Sequence, residues 1–249
     1  MELHTHTHTP GKKWTHYFWE FLMLFLAVFC GFLAENQREH MVEHNREKQY
    51  MQSLYRDLEK DTAFNRRFKN YLARVYNRLD SIQNMINSHQ YIADPIRFYS
   101  LAVGSRSIQY FESHNSAYEQ LKSSGNLRLI RKKGLADSLV NYYSMIQERV
   151  SNQESRYMQA TANIATAMWD VLDSKYYIHD SIPEGMARFG PPMVKNATLE
   201  NVDEEKLLKY KNLCCEKMLM IPTLRNFVMQ LNEKATNLLL LLKDEYHFE

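Results

Sequence analysis

The 249-residue chain carries 31 Lys and Arg against 29 Asp and Glu, so no general attraction to nucleic acid is expected. Three Cys make no disulfide framework. Seven Gly and six Pro leave most of the chain free to run as long, uninterrupted helices.

Residues 1–13 read as a flexible, His-rich tail in which His4, His6 and His8 alternate with Thr ahead of Pro10 and Gly11. Imidazoles this close can bind Zn²⁺ or Cu²⁺. No Cys or carboxylate cluster joins them, so a polar terminus accounts for the pattern and no metal or cofactor is assigned.

Residues 14–34, WTHYFWEFLMLFLAVFCGFLA, read as a transmembrane helix. A helix crossing the hydrocarbon core needs about 20 largely apolar residues. Trp14, Tyr17 and Trp19 supply an interfacial aromatic belt, and Glu20 lies level with it, where a carboxylate reaches headgroup water. Cleavage as a signal peptide needs small residues at −3 and −1. Cuts after Ala34 or Gly31 place Phe32 or Phe29 at −3, so an uncleaved anchor is the expectation. Lys12 and Lys13 before the span and Arg38, Arg46 and Lys48 after it leave orientation open. Ala27 and Gly31 have the four-residue spacing of a close helix–helix contact, although a helix facing only lipid fits equally well.

Residues 35–50 read as a charged helical stalk. Glu35, Glu39, Glu43 and Glu47 form an acidic stripe that does not stabilise the helix locally; a solvated face explains it. Within it His40, Glu43 and His44 match the H-x-x-E-H zinc pattern, but a third ligand and a water-excluding core are missing, so catalysis is not assigned there.

From Met51 a heptad can be written, with Met51, Leu58, Asn65, Leu72, Leu79 and Ile86 at a and Leu54, Asp61, Phe68, Val75, Ile82 and His89 at d. Such a seam must bury against partner helices, and Asp61 and Asn65 interrupt it. Asp94-Pro95 should end this helix. A shorter helix then covers residues 96–103, with a break at residues 104–106. Ser116 is expected to cap a helix through Ser123, Gly125 to supply its left-handed stop, and Asn126 to cap the next helix. Arg128, Arg131 and Lys132 crowd the latter, so with Asn126 they form a candidate anion site; a tight helix corner explains the same residues without a ligand.

Leu135, Leu139, Tyr142, Ile146, Val150, Tyr157, Ile164, Met168 and Leu172 keep one face over about 40 residues, a second long amphipathic helix with Met168 and Trp169 assigned to the core. Residues 176–200, carrying Pro183, Gly185, Gly190, Pro191 and Pro192, read as a long loop with Met186 and Phe189 exposed. Asn201 and Glu204 suggest a capping box. The last helix should kink or restart at Pro222, with Leu224, Phe227, Leu231, Leu238 and Leu242 buried. At 1.5 Å per residue, the first post-membrane helix should outrun the second by roughly 25 to 30 Å, about the length of residues 35–50. The reading is a bare stalk carrying a helical bundle, residues 51–249.

The segments KKWTHYFWEFLMLFLAVFCGFLAENQREH, SLYRDLEKD (residues 53–61) and YEQLKSSGNLRLI (residues 118–130) resemble an uncharacterised family of bacterial single-pass inner-membrane proteins. That family has an N-terminal anchor, a helical C-terminal domain and no known activity. The resemblance implies a periplasmic C-terminal domain and transfers no catalytic residue. The expectation is an all-α protein: a transmembrane helix continuing into a stalk and an antiparallel bundle. Its expected role is that of a non-enzymatic, membrane-anchored interaction or accessory protein of the cell envelope, partnered by the bilayer and by another protein or a second copy. The alternative is a periplasmic sensor of a small anion or metal ion.

Overall fold

The computed structural model describes residues 14–176, 196–199 and 201–248, and every regular element among them is helical. The expectations for His4, His6 and His8, and for the prolines, Met186 and Phe189 of the long loop, lie outside the described residues. Two compact units divide the chain, Met1–Tyr50 and Met51–Glu249.

Helix α1, Trp14–Asn87, runs through the boundary between them. In the first unit its apolar window has mean hydropathy 2.0 and is 0% buried, so it is long and apolar enough to cross a membrane. Trp14, Tyr17 and Trp19 are all exposed. Glu47 departs from the solvated stripe: it is 2% exposed, and its carboxylate lies 3.5 Å from His44.

In the second unit the heptad of α1 is realised. Every a position and every d position except His89 is buried, Asp61 and Asn65 included. The helix stops at Asn87, earlier than Pro95, because His89 takes a left-handed conformation at φ 56°. A four-residue helix, α2 (Gln90–Ala93), precedes α3 (Pro95–Ser105). Pro95 needs no helical donor at the first position, and Asp94 caps α3 by accepting from Arg97 N at 3.1 Å. The break expected at Gly104 falls beyond it, since Gly104 is inside α3.

Residues 106–115 belong to no helix and lead into α4, Ser116–Ser123. α4 ends at Ser123 as expected but begins at Ser116 itself, and Gly125 follows it at φ 69°. Asn126 does not cap a following α-helix. Gly125 occupies that place, and Asn126 opens a 3₁₀ turn, Asn126–Leu129.

The second long helix is α5 (Leu135–Met145), a π turn (Ile146–Val150) and α6 (Ser151–Val171) in succession. Its predicted face is buried except Ile146, which the π turn leaves half-buried. Trp169 is not core: it is 44% exposed, one residue round the helix from buried Met168. The last helix, α7 (Glu204–Tyr246), continues through Pro222 without restarting. Asp203 caps it, accepting from Glu205 N and Lys206 N, in place of Asn201. Phe227 is half-buried and its neighbour Val228 is buried instead.

Side-chain pairs fix the topology of this unit. Asp61 meets Tyr142 and Tyr71 meets Tyr157, so α1 and the α5–α6 rod run parallel. Gln83 meets Lys211, while Tyr55 stacks on Phe248, so α7 runs against α1. The return between the parallel rods is α3, residues 106–115 and α4. The result is an up–down–up–down bundle whose second limb is only partly helical.

Candidate functional site

The non-helical second limb explains the polar residues inside the bundle. This segment is half-buried to exposed and lies outside helix or strand, so its backbone groups must find partners elsewhere, and side chains of the neighbouring helices supply several of them. Tyr71 donates to Ser107 O at 2.7 Å, Phe111 N donates to Glu154 at 2.5 Å, and His114 N donates to Asp61 Oδ1 at 2.7 Å. Asp61 also accepts from Tyr142 at 2.8 Å, and its Oδ1 lies 2.9 Å from His114 Nδ1. Burial holds the Asp61 carboxyl above the usual range, and these donors pull against that rise. Burial pushes the Tyr142 hydroxyl far up, so it remains a donor.

Asp57 performs the same service one turn earlier on α1. Its Oδ2 accepts from Ala117 N at 3.2 Å and lies 3.4 Å from Ser116 Oγ. The cap of α4 is therefore contributed by another helix. Ser116, the predicted cap, is the first residue inside α4, and Asn115 at the cap position makes no side-chain cap bond. Tyr118 of α4 then stacks on Tyr143 at 4.1 Å. The segment 53–61 thus meets His114, Ser116 and Ala117, just ahead of the segment 118–130, through the carboxylates of Asp57 and Asp61.

A second polar centre sits at the C-terminus of α3. Lys217 is 0% exposed; its Nζ donates to Ser105 O at 2.7 Å and lies 4.7 Å over the Tyr157 ring. Arg78 donates to Gly104 O at 2.7 Å. The last carbonyls of a helix lack internal partners and carry partial negative charge, so both cations are placed to stabilise them. Burial lowers the Lys217 ammonium to about 7 and pushes the neighbouring Cys214 thiol up to about 12. A neutral lysine amine is a nucleophile, yet this one is sealed from solvent. Its role in this packing is capping.

A third feature is a cavity of 180 Å³ between α1 and α7, lined by Asn65, Arg66, Lys69, Val228, Asn232 and Glu233 among others. Asn65 is 1% exposed, and neither end of its amide has a hydrogen-bond partner within the protein; Asn232 Oδ1 is in the same condition. The side chain of Asn65 acts on the Tyr142 hydroxyl, pulling against the rise that burial imposes on it.

The residues singled out from sequence are dispersed differently. Trp14, Tyr17, Trp19, Ala27 and Gly31 all lie exposed on one helix, and a Cβ added at Gly31 would meet nothing within 4 Å. Lys132, offered to an anion, lies 2.5 Å from Glu245 of α7, which holds its ammonium above the usual lysine range. Arg128 and Arg131 are exposed. Among the described residues no three of His, Cys, Asp and Glu gather in a metal-binding group. Sequence reasoning missed Asp57, His114, Asn232 and Lys217; the signal for two further residues was present, because Asp61 and Asn65 break an apolar heptad. Comparison with protein-family models, curated proteins and solved structures finds no match.

Proposed function

We propose that this chain is a membrane-anchored helical interaction protein of the bacterial cell envelope, acting by binding and not by catalysis, with residues 51–249 in the periplasm. One observation carries the reading. The apolar window near the start of α1 is wholly exposed, while the second unit has a core of its own. Exposed apolar surface on this scale marks a membrane or a partner, and the length of the window suits a bilayer.

The outward surface of α7 supports a protein partner. Leu208, Leu219, Met229 and Leu240 are all exposed there, Leu219 at 70%. Their spacings of ten or eleven residues return to nearly the same side of a helix every three turns, which gives a partner helix a line to follow. The anion-sensor reading loses support from Lys132, whose charge is already met by Glu245.

Two measurements test the proposal. Membranes from cells making the full chain are washed with alkaline carbonate, and photo-crosslinkers are placed at Leu219 and Leu240. Retention in the membrane together with one reproducible crosslinked species, a second copy included, is expected. Release by carbonate defeats the anchor; retention with no crosslink from either position defeats the interaction role.

A further inference from the structure

Residues 107–115 run past α1 and the α5–α6 rod without a turn or bend. Tyr71 and Asp61, ten residues apart on α1 and so about 15 Å apart along its axis, bond to Ser107 and His114. The seven residues between those contacts would cover only about 10 Å as a helix, so the segment is extended. Its exposure alternates as a strand's does: from residue 106 to residue 112 the even positions are exposed and the odd ones half-buried.

In an extended chain the N–H and C=O of one residue point to one side, and those of the next to the other. Ser107 O accepts from Tyr71, the Gln109 backbone bonds to the same hydroxyl, and Phe111 N donates to Glu154. The odd-numbered groups therefore turn towards the helices, and those of Ile108, Tyr110 and Glu112 turn away. None of these three residues has a backbone hydrogen bond among the described residues. The alternation slips at His114, whose N–H turns inward to Asp61. A free strand edge is a template for another chain, and proteins commonly blunt one with Lys, Pro or a bulge. Residues 107–112 hold neither Lys nor Pro, and Ile108 and Tyr110 are 46% and 63% exposed.

The edge specifies its occupant. Alternating backbone donors and acceptors pair with an extended peptide. An antiparallel strand sets one residue opposite Ile108 and another opposite Tyr110, where β-branched side chains pack well. Exposed Arg106 stands at the start of the edge, its guanidinium 5.6 Å over the Trp169 ring, and exposed Glu112 stands at its end. Opposite charges favour an acidic residue across from the first and a basic one across from the second. We propose that residues 107–112 are a docking edge for an extended segment of another protein, added as an antiparallel strand. That segment carries a basic residue, two β-branched residues and an acidic residue at alternate positions. The proposal deepens the interaction reading by giving the chemistry of a partner, and rests on that reading only for there being one.

The test titrates the full chain in detergent micelles into fluorophore-labelled acetyl-Lys-Thr-Val-Thr-Val-Thr-Glu-amide and follows anisotropy. Saturable one-to-one binding is expected. N-methylation of both valines, whose N–H groups face the edge, should weaken binding at least tenfold. N-methylation of the first two threonines, whose N–H groups face away, should leave it within twofold. Exchanging the Lys and Glu ends should cost at least threefold. Tyr110→Lys should weaken binding at least tenfold while keeping the helical circular-dichroism signal and the melting temperature; should it fail to fold, Ile108→Lys takes its place. No saturable binding, equal binding of the valine-methylated peptide, or undiminished binding by the folded variant each overturns the proposal. Crosslinking from Leu219 and Leu240 reads α7 and not this edge, so a failure there and a failure here are told apart.

Discussion

One carboxylate oxygen of Asp61 receives both the backbone N–H of His114, at 2.7 Å, and the His114 ring nitrogen, at 2.9 Å. The second oxygen takes the Tyr142 hydroxyl. A single side chain from the first limb of the bundle thereby holds the non-helical second limb against the third. Asp61→Ala should strip partners from a backbone N–H and a buried hydroxyl together, a loss of about 3 kcal/mol. Asp61→Asn keeps an acceptor for His114 and can donate to Tyr142, so it should lose less than half as much. Urea denaturation of the two variants checks the ratio; equal losses would mean that the charge matters and the hydrogen bonds do not.

Asp57 makes a separable contribution. Its carboxylate caps α4 from outside that helix, accepting from Ala117 N at 3.2 Å. Removing an N-cap typically costs about 1 kcal/mol. Asp57→Ala should therefore destabilise by about that amount, and hydrogen exchange should quicken in α4 before it does in α5 or α7. A uniform increase across the unit would show that Asp57 supports the whole bundle.

Gly104 sits where a helix former would ordinarily be better. Alanine gains about 1 kcal/mol over glycine inside a helix, and Gly104 is a residue of α3. A Cβ here, however, would lie 2.6 Å from the Arg78 guanidinium. That group donates to Gly104 O at 2.7 Å and lies 3.4 Å from Ser107 Oγ, so displacing it opens the C-terminus of α3. Gly104→Ala is expected to lower the melting temperature in the wild-type background, and to raise it in an Arg78→Ala background where the space is clear. A double-mutant cycle that shows no coupling would disprove the contact.

What the sequence makes legible follows periodicity. The seam of α1 from Met51 to Ile86 and the face from Leu135 to Leu172 could be written down because a buried helix stripe repeats at a fixed spacing. The second limb could not, since residues 106–115 have no period and are held by side chains far away in sequence. For the same reason Asp61 and Asn65 could be seen only as defects in a heptad, while His114, which bonds to Asp61, carries no local signal. Pro222 misled in the other direction: neighbouring packing carries α7 through a residue that breaks helices when they stand alone.

Lys217 provides a prediction whose sign can be worked through. Its folded value is lowered to about 7, chiefly by burial, from an ordinary value of 10.5. Between those values the unfolded chain binds the proton and the folded chain does not, so stability rises with pH across the interval. Cys214 opposes this at the upper end. Its folded value is raised to about 12 from 9.0, so above pH 9 the folded state holds a proton that the unfolded state releases, and stability falls. The window in which Lys217 acts without Cys214 is therefore pH 7 to 9. Lys217→Met removes the titration and leaves a side chain of similar length; replacing buried charge by apolar volume is often neutral or stabilising. The variant should equal or exceed the wild type at pH 7, and its advantage should shrink steadily by pH 9 in urea melts. Parallel curves for the two proteins would mean that Lys217 keeps its proton in the fold, held by Ser105 O and the Tyr157 ring more strongly than burial expels it.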